Sequence, residues 1–339
     1  MPEPLLETIE LTKSFNTRHN LFGAKKIKNI AVDRVNLSLA KGETLGLVGE
    51  SGCGKSVLAL TIMRLYEPDG GRILFAGKEI TNLEEQALKS VRRQMQMVFQ
   101  DPLASLDARL TVEQIISEPL EIHNIGTKPE RAKEVARLLE RVGLSAHDRY
   151  RFPSEFSGGQ QQRIGIARAL ALRPGLLICD EPVSALDVSV QAQILNLLRD
   201  LQDEFALSYL FISHNIAVTA FMSRHIAVMY LGRLVEIGNS RQITSAPQHP
   251  YTQALLAAIP EPNPSQRNKD LAVKGDIEEI TERPTGCVFR HRCPIAQEIC
   301  AYEEPQLLSI DGSHEVACHF AWKNELNPQI AGSCVQIKS

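Results

Sequence analysis

The chain lacks any run approaching roughly 18 uninterrupted apolar residues, the length a membrane-spanning helix needs, and this excludes a transmembrane span. Its first ten residues carry Glu3, Glu7 and Glu10 instead of a basic start and an apolar core, which argues against a secretory signal. It also lacks an excess of positive charge. The 37 Lys and Arg against 40 Asp and Glu leave a net charge of −3, which does not fit a nucleic-acid-binding chain. Glycine and proline, 21 and 18 residues, stay near their usual share, so neither a collagen-like nor a low-complexity chain fits. No internal repeat is visible.

What is present is ordinary globular material: 339 residues, 43% hydrophobic and 23% charged, enough to bury a sizeable core. That length implies two domains, or one large domain with an appendage. Four of the seven cysteines fall between residues 287 and 318. In a chain without an export signal such a cluster more often binds metal than forms disulfides.

Short β-rich runs at Leu5–Leu11, Val32–Leu39 and Thr44–Val48 read as strands, with residues 18–29 as an exposed basic loop or hairpin. Apolar spacing predicts helices over 56–66, 111–122, 128–142, 160–172 and 189–205. Leu176–Cys179 and Tyr209–Ser213 read as buried parallel strands. Strands and helices in this order, with a helical block between early and late strands, mean an α/β fold with a mainly parallel core. From Pro260 to Lys274 the composition turns polar and Pro-rich, as in a linker, and a small cysteine-rich module with little apolar core of its own follows.

Gly49, Glu50, Ser51, Gly52, Cys53, Gly54, Lys55 and Ser56 match the phosphate-binding loop pattern between an apolar strand and a helix, which is the context that pattern requires. There, backbone N–H groups and the helix start would hold phosphate, Lys55 would reach the β- and γ-phosphates, and Ser56 would ligate Mg²⁺. Val57 continues the same site. Asp180 ends a buried strand where a carboxylate would stand beside the metal, and Glu181 follows at the tip, where it could polarise a water. Ser157, Gly158, Gly159 and Gln160 open another helix with free N–H groups suited to an anion.

That last block, preceded by Phe156, resembles the signature of ATP-binding cassette (ABC) proteins, which usually have Leu at the Phe156 position. Other elements of that family follow in order. Gln100 resembles the glutamine loop that touches Mg²⁺. Ser184, Ala185, Leu186 and Asp187 resemble the loop that crosses the dimer interface. His214 resembles the switch histidine at the γ-phosphate, with Asn215 where Asp is commoner. Phe15 sits where an aromatic stacks on adenine. The resemblance covers about residues 5–260. It implies an ABC-type P-loop nucleotide-binding domain with an antiparallel β subdomain, a helical subdomain at about 103–172, and a Cys-rich C-terminal module. It further implies a cassette over 1–259, an extension over 260–339, and two cassettes sandwiching ATP head to tail.

Cys287, Cys293, Cys300 and Cys318 are separated by five, six and seventeen residues, so four thiolates could hold a tetrahedral zinc or a 4Fe-4S cluster. The tract Gly286–Pro294, with His249–Leu256 upstream, resembles the C-terminal extension of oligopeptide and dipeptide importer ATPases. The resemblance implies a 4Fe-4S cluster ahead of zinc, and it implies peptide import with ATP and Mg²⁺. The partners it implies are a homologous ATP-binding subunit, two membrane permease subunits and an extracytoplasmic solute-binding protein, with no nucleic acid. The chain would then lie peripherally on the cytoplasmic face of the membrane. A soluble cassette ATPase acting on ribosomes or DNA would typically carry two cassettes or a long coiled-coil insertion, and neither is present.

Overall fold

The computed structural model describes residues 3–18, 26–259 and 285–321. Strands β1 (Leu6–Arg18), β2 (Lys26–Leu39) and β3 (Thr44–Val48) come first. They are followed by helix α1 (Lys55–Ile62), β4 (Gly70–Phe75), β5 (Lys78–Glu79), α2 (Glu85–Gln94) and β6 (Met95–Val98). A helical block comes next: α3 (Pro102–Ser105), α4 (Val112–Ile122), α5 (Lys128–Arg141) and α6 (Gly158–Leu170). The chain continues through β7 (Leu176–Asp180), α7 (Val188–Phe205), β8 (Ser208–Ser213), α8 (Ile216–Met222), β9 (His225–Tyr230) and β10 (Arg233–Asn239). The last elements are α9 (Ser240–Ser245), α10 (Pro250–Ala257), α11 (Ile299–Tyr302), β11 (Leu308–Ser309) and β12 (Glu315–Val316). Among the described residues no helix is long and apolar enough to cross a membrane.

The chain divides into two compact units. Of the described residues, one gathers those up to Glu7 with Ser38–Thr44 and Leu74–Ser213; the other gathers those between Thr8 and Leu37, Leu45–Ile73 and those from His214 onward. In the first, β6, β7 and β8 lie side by side in parallel, with Met95 opposite Leu176 and Leu176 opposite Ser208. Both β7 and β8 are buried at every residue, which explains the apolar runs Leu176–Cys179 and Tyr209–Ile212 within them. The helical block starts where local chemistry dictates. Thr111, Thr127 and Ser157 each begin a helix through a capping box with Gln114, Glu130 and Gln160. Its inner faces bury Ile115, Ile116, Val135, Leu138, Ile164 and Ile166, as the helical spacing predicts.

In the second unit β2, β1 and β4 neighbour one another in that order. The strands outrun the sequence reading. Arg18 belongs to β1 and Lys26–Asn29 to β2, so these parts of the expected loop are strand; residues 19–25 lie outside the described residues. Pairing with a neighbouring strand holds such polar stretches extended, where propensity alone gives no signal. Elsewhere in this unit β3 pairs in parallel with β9, Leu45 opposite His225, and β9 pairs antiparallel with β10.

The cysteine-rich module continues that sheet: β12 pairs with β10, Glu236 opposite Val316, and β11 pairs with β12. Its apolar residues do not form a separate core. Cys287, Phe289 and Cys300 are buried together with Val48, Val228, Tyr230 and Tyr251. The expected appendage with little core is therefore small because it shares the core of the strands beside it. The whole of the expected linker, Pro260–Lys274, along with Cys334, lies outside the described residues.

Candidate functional site

β3 is buried throughout and delivers the chain to a turn that must be glycine at two points. A Cβ on Gly49 would lie 2.2 Å from the Met229 carbonyl oxygen. Gly54 has φ 106, and a Cβ there would lie 2.1 Å from the carbonyl oxygen of Ala31. Neither clash is with a side chain that could move away, so the loop backbone is pressed onto its neighbours. Gly54 is the N-cap of α1 and offers no side-chain acceptor, and the partial positive charge at the start of the helix suits an anion. Lys55 is buried, and its Nζ donates to the carbonyl oxygens of Gly49 and Glu50 at 2.8 and 2.9 Å. Ser51 and Gly52 form the exposed tip. Cys53 is buried, and burial raises its thiol pKa, which marks it as a packing residue and not a nucleophile.

Three further predicted or neighbouring groups belong to the same unit. The Phe15 ring is half-buried, edge-on to Tyr66 at 5.3 Å between centroids, with Lys13 Nζ 5.3 Å from its centre. His214 is exposed, and Asn215 caps α8 by accepting from the N–H groups of Ala217 and Val218 at 3.0 and 3.2 Å. Asn thus serves at the position where the family more often has Asp, since either offers a side-chain oxygen to the cap.

The first unit holds the carboxylates. Asp180 is buried at the end of β7. Glu181 follows with φ 46, a left-handed backbone that costs a non-glycine residue about 1–3 kcal/mol. Its N–H donates to the Ile212 carbonyl at 2.9 Å, and Ser184 Oγ donates to its carbonyl at 3.1 Å. These bonds hold the strained turn. Gln100 Nε2 donates to Glu181 Oε2 at 3.2 Å, so the two predicted residues meet. That contact uses the amide nitrogen of Gln100 and leaves its oxygen for a hard cation, as Mg²⁺ would require.

Ser157 and Gln160 occupy each other. Gln160 N–H donates to Ser157 Oγ at 3.4 Å, and Ser157 N–H donates to Gln160 Oε1 at 3.0 Å. Phe156 is buried under the Arg151 guanidinium, 4.4 Å from its ring centre, which accommodates the larger side chain where the family has Leu. A Cβ on Gly158 would stand 3.5 Å from Leu186, and one on Gly159 only 2.4 Å from Val190. The signature turn therefore packs directly on the Ser184–Asp187 loop and the start of α7. Asp187 caps that helix, accepting from Val190 N–H at 3.0 Å. A hydrogen bond from Ser189 is the main reason its carboxyl pKa lies below the usual range.

In the second unit the cysteine module reaches the phosphate loop, a contact the sequence reading missed. Arg292 donates to both carboxylate oxygens of Glu50 at 2.6 and 2.9 Å, and Tyr251 Oη accepts from Glu50 N–H at 2.8 Å. No sequence pattern pairs residues 242 positions apart. Also missed is Glu236, 0% exposed, which accepts from the N–H groups of Gln248 and His249 and lies 2.7 Å from His314 Nε2. Burial pushes the His249 pKa down to about 4. Burial raises the thiol pKa of Cys287, Cys293 and Cys318. Burial first, then the neighbouring thiols, pushes Cys287 up to about 11 and Cys293 up to about 12. Among the described residues no group of three or more His, Cys, Asp or Glu is arranged to hold a metal ion.

Comparison with known proteins agrees with this layout. Residues 32–184 match the ABC transporter family, and residues 235–300 match the oligopeptide/dipeptide transporter C-terminal region. The chain is 51% identical over 320 residues to the oligopeptide transport ATP-binding protein AppF of Bacillus subtilis, covering 94% of this chain and 97% of that protein. A putative peptide import ATP-binding protein of Brucella ovis is 47% identical, with 93% and 97% covered. Among solved structures, the dimeric ATP-binding cassette MJ0796 in a post-hydrolysis state with ADP and Pi superposes with a TM-score of 0.62. It is 29% identical, with 70% of this chain and 99% of that chain covered. The cbiO1 protein of Clostridium perfringens, part of an ABC transporter complex, gives a TM-score of 0.62 at 27% identity, with 72% and 92% covered. On its loop geometry, its ordered motifs and these full-length likenesses, the chain belongs to the ABC transporter family of ATP-binding, ATP-hydrolysing subunits.

Proposed function

We propose that this chain hydrolyses ATP to power the import of peptides, as the nucleotide-binding subunit on the cytoplasmic face of a membrane transporter. The observation that carries this reading is the glycine-enforced phosphate loop, in a chain matched over 94% of its length by an oligopeptide transport ATP-binding protein. The match of residues 235–300 to the peptide-transporter C-terminal region favours an importer over a ribosome- or DNA-acting cassette. Residues 1–259 serve as the cassette and 260–339 as the extension. Its partners are a homologous ATP-binding subunit, two permease subunits and an extracytoplasmic solute-binding protein.

In this reading Gly49–Val57 wrap the phosphates, Lys55 neutralises the β- and γ-phosphates, and Phe15 stacks on adenine. Ser56, Gln100 and Asp180 supply hydroxyl, amide and carboxylate oxygens, the donor chemistry suited to Mg²⁺, which offsets phosphate charge when bound. Glu181 orients water and accepts its proton as that water attacks the γ-phosphorus and the bond to the bridging oxygen breaks. His214 steadies the γ-phosphate. Ser157–Gln160 contact the ATP held by the partner cassette, and Ser184–Asp187 line the interface between the two.

Cys287, Cys293, Cys300 and Cys318 would supply the four thiolates for a 4Fe-4S cluster in a structural role. Cys287 and Cys300 are buried in one cluster and Cys293 packs against it, which supports this reading for three of the four thiols. A four-iron cluster takes one thiolate at each iron and so needs no convergence on a single ion, as zinc would. One preparation tests both assignments: the chain co-expressed with its neighbouring permeases and purified anaerobically. The expected result is a stable complex with about four irons per chain and absorbance near ~400 nm. Stoichiometric zinc would remove the cluster, and a chain that never associates with permeases would remove the importer.

A further inference from the structure

Every polar group of Glu50 is engaged, although it sits at a variable position of the phosphate loop. Its N–H donates to Tyr251 Oη, its carbonyl accepts from Lys55 Nζ, and its carboxylate accepts two bonds from Arg292. Arg292 comes from the cysteine module, between Phe289 and Cys293. Its guanidinium lies 5.8 Å from the ring centre of Tyr230. Tyr230, Tyr251 and Phe289 pack as one aromatic cluster, with centroids 4.7 Å apart for Tyr230–Tyr251 and 5.2 Å for Tyr230–Phe289. The fork on Glu50 is thus braced from behind by rigid rings. The bond to Glu50 also holds the Arg292 pKa above the usual arginine value.

We propose that Arg292 is a positioning residue for nucleotide binding, through which the cysteine module sets the affinity of the phosphate loop for ATP. The proposal rests on the reading of Gly49–Ser56 as the ATP phosphate site. Its physical basis is double. The bidentate fork fixes the first turn of the loop in one geometry, which a point-charge ammonium cannot do as well. It also neutralises a carboxylate that would otherwise stand uncompensated beside a polyphosphate. Losing one member of a part-buried pair leaves the other charge exposed to that repulsion.

The test uses the full-length chain and ATP binding by titration, with KM and kcat from steady-state hydrolysis. Arg292→Ala raises the Kd and KM for ATP by about tenfold or more, with kcat changed far less, because the residue acts on binding and not on the reacting atoms. Arg292→Lys falls between that variant and wild type. The decisive comparison is Glu50→Gln combined with Arg292→Ala, which binds ATP more tightly than Arg292→Ala alone because the orphaned charge is gone. A purely structural role would give no such rescue. Wild-type affinity in Arg292→Ala, or a double variant no tighter than the single, overturns the proposal. Should Arg292→Ala prove insoluble, Arg292→Lys at wild-type affinity overturns it instead. If wild type and Lys55→Ala bind ATP equally, the phosphate-loop reading itself fails, which is a distinguishable result.

Discussion

His249 stands 2% exposed between the Glu236 carboxylate and the aromatic face of Phe289, with its ring nitrogen Nδ1 capping the first turn of α10. Burial dominates over the attraction of Glu236 and lowers its pKa to about 4, so the native protein holds it neutral. The unfolded chain, with an ordinary histidine near ~6.5, takes up that proton first as the pH falls. The stability contributed by neutral His249 is therefore complete above about pH 6.5 and is lost progressively down to about pH 4, at up to ~1.4 kcal/mol per pH unit. Denaturant midpoints for wild type and His249→Asn, measured from pH 7 to pH 4.5, check this. Asn keeps a capping oxygen but cannot titrate, so its curve is flatter in that window. Parallel curves would assign the acid sensitivity to groups other than His249.

The helical elements were largely legible beforehand, because their information is local. Periodic apolar positions, a Thr or Ser at the start and Gln or Glu three residues on define α4, α5 and α6 without reference to the rest of the chain. What was not legible is which elements press together. Gly159 reads as part of a signature, yet its lack of a side chain is also demanded by Val190 on the next helix. Gly159→Ala drives a Cβ into a β-branched side chain with little freedom to move, which overpacking puts at about 1–3 kcal/mol of stability. Urea unfolding reads this loss, and Val190→Ala in the same chain restores most of it. An unchanged midpoint in the single variant would show that α6 and α7 are looser than the structure has them.

At the scale of the whole molecule, the ordered motifs identified the family and left the role of the C-terminal module open. Its cysteines drew attention as ligands, while the contacts of Phe289, Arg292 and His314 carried no signal because their partners lie far away in sequence. The module is bound to the strands beside the phosphate loop through β12, through a shared core and through Glu50, so it is part of the nucleotide-binding unit. The central claim, that this is the ATP-hydrolysing subunit of a peptide importer, is tested most directly by ATPase turnover in the reconstituted complex with its permeases and binding protein. Wild-type complex is stimulated by oligopeptide, and Glu181→Gln keeps ATP binding while losing about 100-fold or more of the turnover, the usual worth of a general base. Near-wild-type hydrolysis in Glu181→Gln, or a wild-type rate indifferent to peptide, would contradict the account.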